Sequence, residues 1–143
     1  GWTLKLVSTS SAQFTNAGSG YARTGNSAAK VVVQSNLGHN KVMLENRAYA
    51  SDLNGKRVTV EGWIKSESAA EFRLQLKVTP QTGVNYGNKV PTSDVYTSES
   101  IYQKYVFRHT VGGAIDSIQF KVLMGNAAAI FYLDDFSITI EDL

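Results

Sequence analysis

From Phe72 to Val78 the chain reads Phe-Arg-Leu-Gln-Leu-Lys-Val, apolar at every even position and Arg, Gln or Lys at every odd one. A repeat of two does not match the 3.6-residue repeat of a helix; it puts one side of a strand against a core and the other in water. Ile118-Gln119-Phe120-Lys121-Val122 repeats the pattern, and Val42 and Leu44 alternate with Lys41, Met43 and Glu45. The chain's 14 Val, 11 Thr and 15 aromatics among 143 residues favour strands, and no stretch shows helical spacing of apolar positions. Alternation between polar breaks predicts strands over residues 2–8, 11–15, 29–34, 41–45, 56–66, 70–79, 101–111, 115–124 and 128–141. Turn chemistry separates them, as at Asn54-Gly55, Gly87-Asn88 and Gly112-Gly113. The expected fold is all-β, an antiparallel β-sandwich of two sheets, with no repeat or linker to divide residues 1–143 into more than one domain. The longest connection, roughly 80–100, holds both prolines and is expected to be a functional loop.

Several function classes fall away on composition. No cysteine is present, so disulfides and cysteine-held metals are excluded. The longest apolar run, Ala127 to Leu133, is far short of the roughly 18 residues of a membrane-spanning helix. Fourteen basic residues against twelve acidic ones are too even for a nucleic-acid footprint. Neither a membrane nor a nucleic-acid partner is expected, and the protein is expected to be a monomer. The start at Gly1-Trp2, without Met or leader, reads as a mature secreted product or a piece of a longer chain. His39 and His109 are far apart, and there is no zinc-binding His pair, phosphate loop or nucleophile elbow. Two catalytic options survive: a small jelly-roll glycoside hydrolase with Glu45 and Glu61 as its carboxylate pair, or a polysaccharide lyase with His109 or a tyrosine as base.

Parity supplies a binding surface. With Phe72, Leu74, Leu76 and Val78 facing the core, Arg73, Gln75 and Lys77 line the opposite side, joined by Gln119 and Lys121 from a neighbouring strand and by Lys41 and Met43 from 41–45. Arg108 is placed beside them. Amide, guanidinium and ammonium groups on one face suit a polyhydroxylated ligand, which needs several donors and acceptors at once. Sugar rings also stack on aromatics, and Tyr86, Tyr49, Tyr96 and Trp63 are candidates. Tyr86, beside Gly87 and Asn85 on the long connection, has least to bury it; Trp63 is either a stacking ring or an inter-sheet tryptophan, and Trp2 belongs to the core.

The segments Gly1-Trp2, Tyr21-Ala22-Arg23-Thr24-Gly25-Asn26-Ser27-Ala28-Ala29-Lys30-Val31, Val58-Thr59-Val60-Glu61-Gly62-Trp63-Ile64-Lys65-Ser66, Tyr102-Gln103-Lys104-Tyr105-Val106-Phe107 and Ile130-Phe131-Tyr132-Leu133-Asp134-Asp135-Phe136-Ser137-Ile138 follow one another in an order that resembles the carbohydrate-binding modules of families 4, 9, 16 and 22. The resemblance runs over nearly the whole chain. It implies a jelly roll appended to secreted polysaccharide-degrading enzymes, doing no chemistry itself and binding a single glycan chain in a concave groove; the cations Arg73, Lys77 and Lys121 point to an acidic plant or algal glycan such as a polyuronate, with a neutral β-linked polymer as the alternative. It also implies a structural Ca2+ held by Asp134, with Thr24 and Ser27 adding oxygens. Such modules usually open with a strand ahead of the Gly-Trp, so beginning at Gly1-Trp2 reads as a trimmed strand or a different module boundary, and Lys41 stands where the family has a strand tryptophan.

Overall fold

The computed structural model describes residues 2–6, 11–35, 42–46, 52–125 and 128–143. Among them, ten strands form two antiparallel five-stranded sheets. The first sheet runs β1 (Trp2–Leu6), β4 (Val42–Asn46), β9 (Ile115–Met124), β6 (Ala70–Pro80) and β7 (Tyr96–Ser98). The second runs β2 (Ser11–Ala17), β3 (Ala28–Ser35), β10 (Ala129–Asp142), β5 (Lys56–Ser66) and β8 (Gln103–Thr110), with a single 3-10 turn at Ser19–Tyr21 after β2. The nine predicted strands agree with these to within a few residues among the described residues, β7 lies inside the expected 80–100 loop and is not among them, and the sandwich is the expected one.

The alternation decides which side of each sheet turns inward. Phe72, Leu74, Leu76, Val78, Phe120 and Val122 of the first sheet meet Val31, Val33, Val58, Val60, Ile64, Phe131 and Leu133 of the second, each 3% exposed or less. Full burial of one such side chain contributes about 1.5–3 kcal/mol. Phe72 sits edge-on to Tyr105 at 4.8 Å and to Phe131 at 6.3 Å, tying the sheets together at their centre. Tyr96 also packs here, 5.6 Å from Phe72 and 5.1 Å from Tyr105, which takes it away from the ligand-stacking role considered above.

The connection at 80–100 differs from the open loop that its prolines suggest. The backbone N–H of Val78 donates to the Lys89 carbonyl, that of Leu76 to Pro91 and that of Ser93 to Leu74, so residues 89–93 run along the edge of β6 and lead into β7. Proline is tolerated there because an edge position needs only its carbonyl. Tyr86, expected to be exposed, is 6% exposed and belongs to the core. Its hydroxyl accepts the Gly112 N–H at 3.3 Å and lies 2.7 Å from His109 Nε2, so a polar tip is satisfied while the ring is buried.

One irregularity shapes the second sheet. The β10–β5 register slips between Asp134 and Ser137, and Asp135 takes a left-handed φ of 53°, a conformation Asp tolerates better than most residues. The bulge lays the Phe136 ring directly over Gly62, where a Cβ would collide with it. It also turns both Asp134 and Asp135 toward the loop at 22–27.

Candidate functional site

The outer face of the first sheet gathers most of the predicted ligand-binding residues. Register places Lys77 opposite Gln119, Gln75 opposite Lys121 and Arg73 opposite Leu123, all pointing away from the core. Glu45 sits across from Lys121 and Thr3 across from Glu45, so Thr3, Glu45, Lys121 and Gln75 form a polar row continued by Thr92 on the edge. Lys121 Nζ is 2.7 Å from Glu45 Oε2, and Lys121 is only 5% exposed. Gln75 Nε2 donates to Thr92 Oγ1 at 3.0 Å, and Gln119 Nε2 to the Asn46 carbonyl at 3.0 Å, leaving each amide oxygen to accept. Arg73 Nε is buried without a partner. Met43 and Leu123 shield the middle of the face, while Lys77 and Lys5 stand open at its flanks.

Sequence parity named Arg73, Gln75, Lys77, Gln119 and Lys121 for this face but not the partners that fix them. Glu45 was considered only as a catalytic carboxylate, and Thr92 joins the row only because 89–93 zips onto β6. Lys41 and Tyr49 lie outside the described residues.

Trp63 and Arg108 do not belong to this face. Trp63 opposes Lys104 and Arg108 opposes Thr59 on the outer side of the second sheet, across the whole core from Arg73. Trp63 is also no inter-sheet residue: the Arg23 guanidinium lies 3.6 Å above its ring. Parity within a strand ranks sides but does not say which sheet the strand enters, which is why Arg108 does not stand beside Arg73 as expected. The same geometry separates Glu45 from Glu61, which opposes Val106 on the second sheet, so these two carboxylates do not flank a common bond. His109 is half-buried against Tyr86, and burial holds its pKa below the ordinary 6.5.

The second outer face holds a set that sequence reasoning did not assemble. Tyr21 stacks flat on Tyr132, centroids 5.0 Å apart and rings 6° from parallel. The Lys65 ammonium is 4.8 Å from the Tyr102 ring, and the Tyr102 hydroxyl donates to the Tyr21 carbonyl at 2.7 Å. Burial, then the charges of Asp134 and Asp135, push the Tyr102 pKa up to about 12; burial, then the hydrogen bond to Glu67, does the same for Tyr132.

Asp134, Thr24 and Ser27 do come together, with Asp134 and Ser27 on the wall of a cleft of about 420 Å³ between the β1 and β2 sides of the sandwich. Their donors are nevertheless of the wrong kind for calcium. Asp134 Oδ2 accepts the backbone N–H groups of Arg23 at 2.8 Å and Thr24 at 3.2 Å, and its Oδ1 accepts that of Asp135 at 2.9 Å. Asp135 receives the Thr24 hydroxyl at 2.7 Å and Arg23 Nη1 at 2.9 Å, which hold its carboxyl below the usual carboxylate range. A guanidinium and amides already neutralise these acids, and the arrangement does not fit an ion that takes six to eight oxygens. Among the described residues no three His, Asp or Glu converge on a metal position.

No family model matches the sequence, and no curated protein matches it. Solved structures do share its shape. The chain superposes on the CBM22-1 xylan-binding domain of Paenibacillus barcinonensis Xyn10C with a TM-score of 0.68 at 13% identity, covering 100% of this chain and 87% of that one. It matches TmCBM61 in complex with β-1,4-galactotriose with a TM-score of 0.61 at 16% identity, covering 98% and 88%. The CBM22-1-GH10 modules of Clostridium thermocellum Xyn10B, complexed with xylohexaose, give a TM-score of 0.72 at 12% identity over 99% of this chain and 26% of that one. Sequence divergence of this depth leaves a likeness of fold, and the fold is that of the carbohydrate-binding modules of families 4, 16, 22 and 61.

Proposed function

We propose that the chain is a non-catalytic glycan-binding module whose ligand lies along β6 and β9 on the outer face of the first sheet. One observation carries this reading: Arg73, Gln75, Lys77 and Gln119 sit side by side on two paired strands, all facing outward. Such a cluster offers guanidinium, ammonium and amide groups to successive hydroxyls of an extended chain. Because Lys121 is neutralised by Glu45, a neutral β-linked plant or algal polysaccharide suits the face better than an acidic one. Neighbours that bind xylan and galactotriose share the fold, and one is joined to a glycoside hydrolase module, which supports a role in bringing an appended secreted enzyme to its substrate. The module acts as a monomer in this reading.

Affinity electrophoresis and calorimetry with xylan, β-glucan and β-1,4-galactan test it. Gln75→Ala and Arg73→Ala are expected to weaken binding about tenfold, the equivalent of one or two hydrogen bonds, with the melting temperature of Gln75→Ala unchanged. Binding is expected to survive about 0.5 M salt, since neutral hydroxyls are not screened. Release of new reducing ends or unsaturated products, or full binding in both variants, overturns the reading.

A further inference from the structure

We infer that the outer face of the second sheet carries a second glycan site, for a chain bearing anionic groups. The ligand class rests on the glycan-binding reading above; the site does not overlap the first. Register aligns Thr15, Lys30, Tyr132 and Lys65 in one row across β2, β3, β10 and β5. Tyr132 is 2% exposed because Tyr21 lies flat on it, and Tyr21 itself is 47% exposed, which leaves its outer ring face open. Lys30 Nζ is 5.9 Å from the Tyr21 centroid on one side; Lys65 Nζ is 5.4 Å from Tyr132 on the other. A pyranose presents an apolar C–H face to such a ring, and carboxylate or sulfate groups on the same chain reach the flanking ammoniums.

Charge and rigidity support the assignment. The acids nearby are already engaged: Asp134 and Asp135 by the 23–24 backbone, Thr24 and Arg23, and Glu67 by the Tyr132 hydroxyl at 2.8 Å. Lys30, Lys65 and Lys104 form no ion pair among the described residues, so the face offers ammonium groups that no carboxylate closes. The platform is held from both ends, by the Tyr102 hydroxyl on the Tyr21 carbonyl and by Arg23 clamped between Trp63 and Asp135. A platform already in place costs little ordering when a ligand arrives. A single open ring and three lysines in a chain of net charge +2 are short of the long basic track that a nucleic acid follows.

The test is affinity electrophoresis of the whole chain in polygalacturonate, in dextran sulfate and in xylan, at low and at about 0.5 M salt. Polygalacturonate or dextran sulfate is expected to retard the wild type at low salt, and the stronger of the two names the anion. Tyr21→Ala and the double variant Lys30→Gln/Lys65→Gln should each lose about tenfold of that retardation, and high salt should abolish it. Tyr21→Phe, which keeps the ring, should retain it. Xylan binding and its dependence on Gln75 should stay unchanged in all of them, so a failure of the first face leaves this result standing and the reverse also holds. No retardation of the wild type by either polyanion, retardation unmoved by both the Tyr21→Ala and the double lysine variants at unchanged melting temperature, or tighter binding of a single-stranded oligonucleotide through Tyr21 overturns the inference.

Discussion

The two outer faces of this sandwich solve the problem of exposed charge in opposite ways. On the first, the central cation Lys121 is 5% exposed and closed by Glu45 at 2.7 Å, beside the Met43–Leu123 pair, and no aromatic ring shares the face among the described residues. On the second, acids and one arginine are consumed in pinning the 22–27 loop, while lysines stand beside tyrosine rings of which Tyr21 is open. A net charge of +2 conceals this. In the proposed reading, recognition on the first face would work through amides and hydroxyls at fixed positions and on the second through a ring and ammonium charge, and salt would tell the two apart.

The largest effect should come from opening the pair on the first face. Glu45→Ala leaves Lys121 buried and unpaired, and the expected loss is about 3–5 kcal/mol in urea denaturation. Lys65→Ala on the second face, where the ammonium is partly exposed, should cost roughly 1 kcal/mol or less. Replacing Glu45 and Lys121 together with Met should recover most of the first loss, since a buried pair is often worth no more than an apolar match. A cost below about 1 kcal/mol for Glu45→Ala would mean that water reaches the pair and that the two faces do not differ as described.

Arg23→Ala comes next. It removes the guanidinium from above Trp63 and from Asp135, both at partly exposed positions, for an expected loss of about 1 kcal/mol. Trp63 emission should shift to the red as its ring meets water, with xylan binding at the first face unaffected. Calcium should leave the melting temperature of the wild type unchanged and raise that of Arg23→Ala, where Asp135 loses its cation while Asp134 keeps its backbone N–H donors. A rise of several degrees in the wild type would show that the loop yields its arginine to the metal.

The sequence was most readable where a single physical rule decided the outcome. Alternation placed Phe72, Leu74, Leu76 and Val78 inside and Arg73, Gln75 and Lys77 outside, because a strand has only two sides. It is silent on which sheet each strand joins, so Arg108, expected beside Arg73, lies with Trp63 on the other sheet. Tyr86 misled for a different reason: glycine and asparagine neighbours mark a loop, yet the ring buries itself over the end of the core and finds His109 and Gly112 for its hydroxyl. The platform of Tyr21, Lys30, Tyr132 and Lys65 draws on three separate segments of the chain. Only the pairing of β3 with β10 and of β10 with β5, and the fold of the loop before β3, bring them together.

The smallest expected effect is a pH dependence that separates the core from the second face. The Tyr86 hydroxyl accepts the Gly112 N–H and shares a hydrogen bond with His109 Nε2, which holds the half-buried ring against the end of the core. Burial lowers the folded pKa of His109 below 6.5, so the unfolded chain takes up the proton first. Stability is therefore full above about pH 6.5, declines as pH falls through that value, and stops declining below the folded pKa. Asp135 acts in a separate, lower window. Its folded pKa lies below the ordinary 3.8, chiefly through the Thr24 hydroxyl and then Arg23, so its contribution is complete above 3.8 and is lost as pH falls through the folded value. Urea midpoints followed against pH should show two steps. His109→Gln should remove the upper one alone and Asp135→Asn the lower one alone. Added salt should shrink only the lower, because Asp135 faces water with its arginine while His109 is screened by the protein itself. A single step, or an upper step that salt erases, would place His109 in solvent and remove the burial that distinguishes it from the second face.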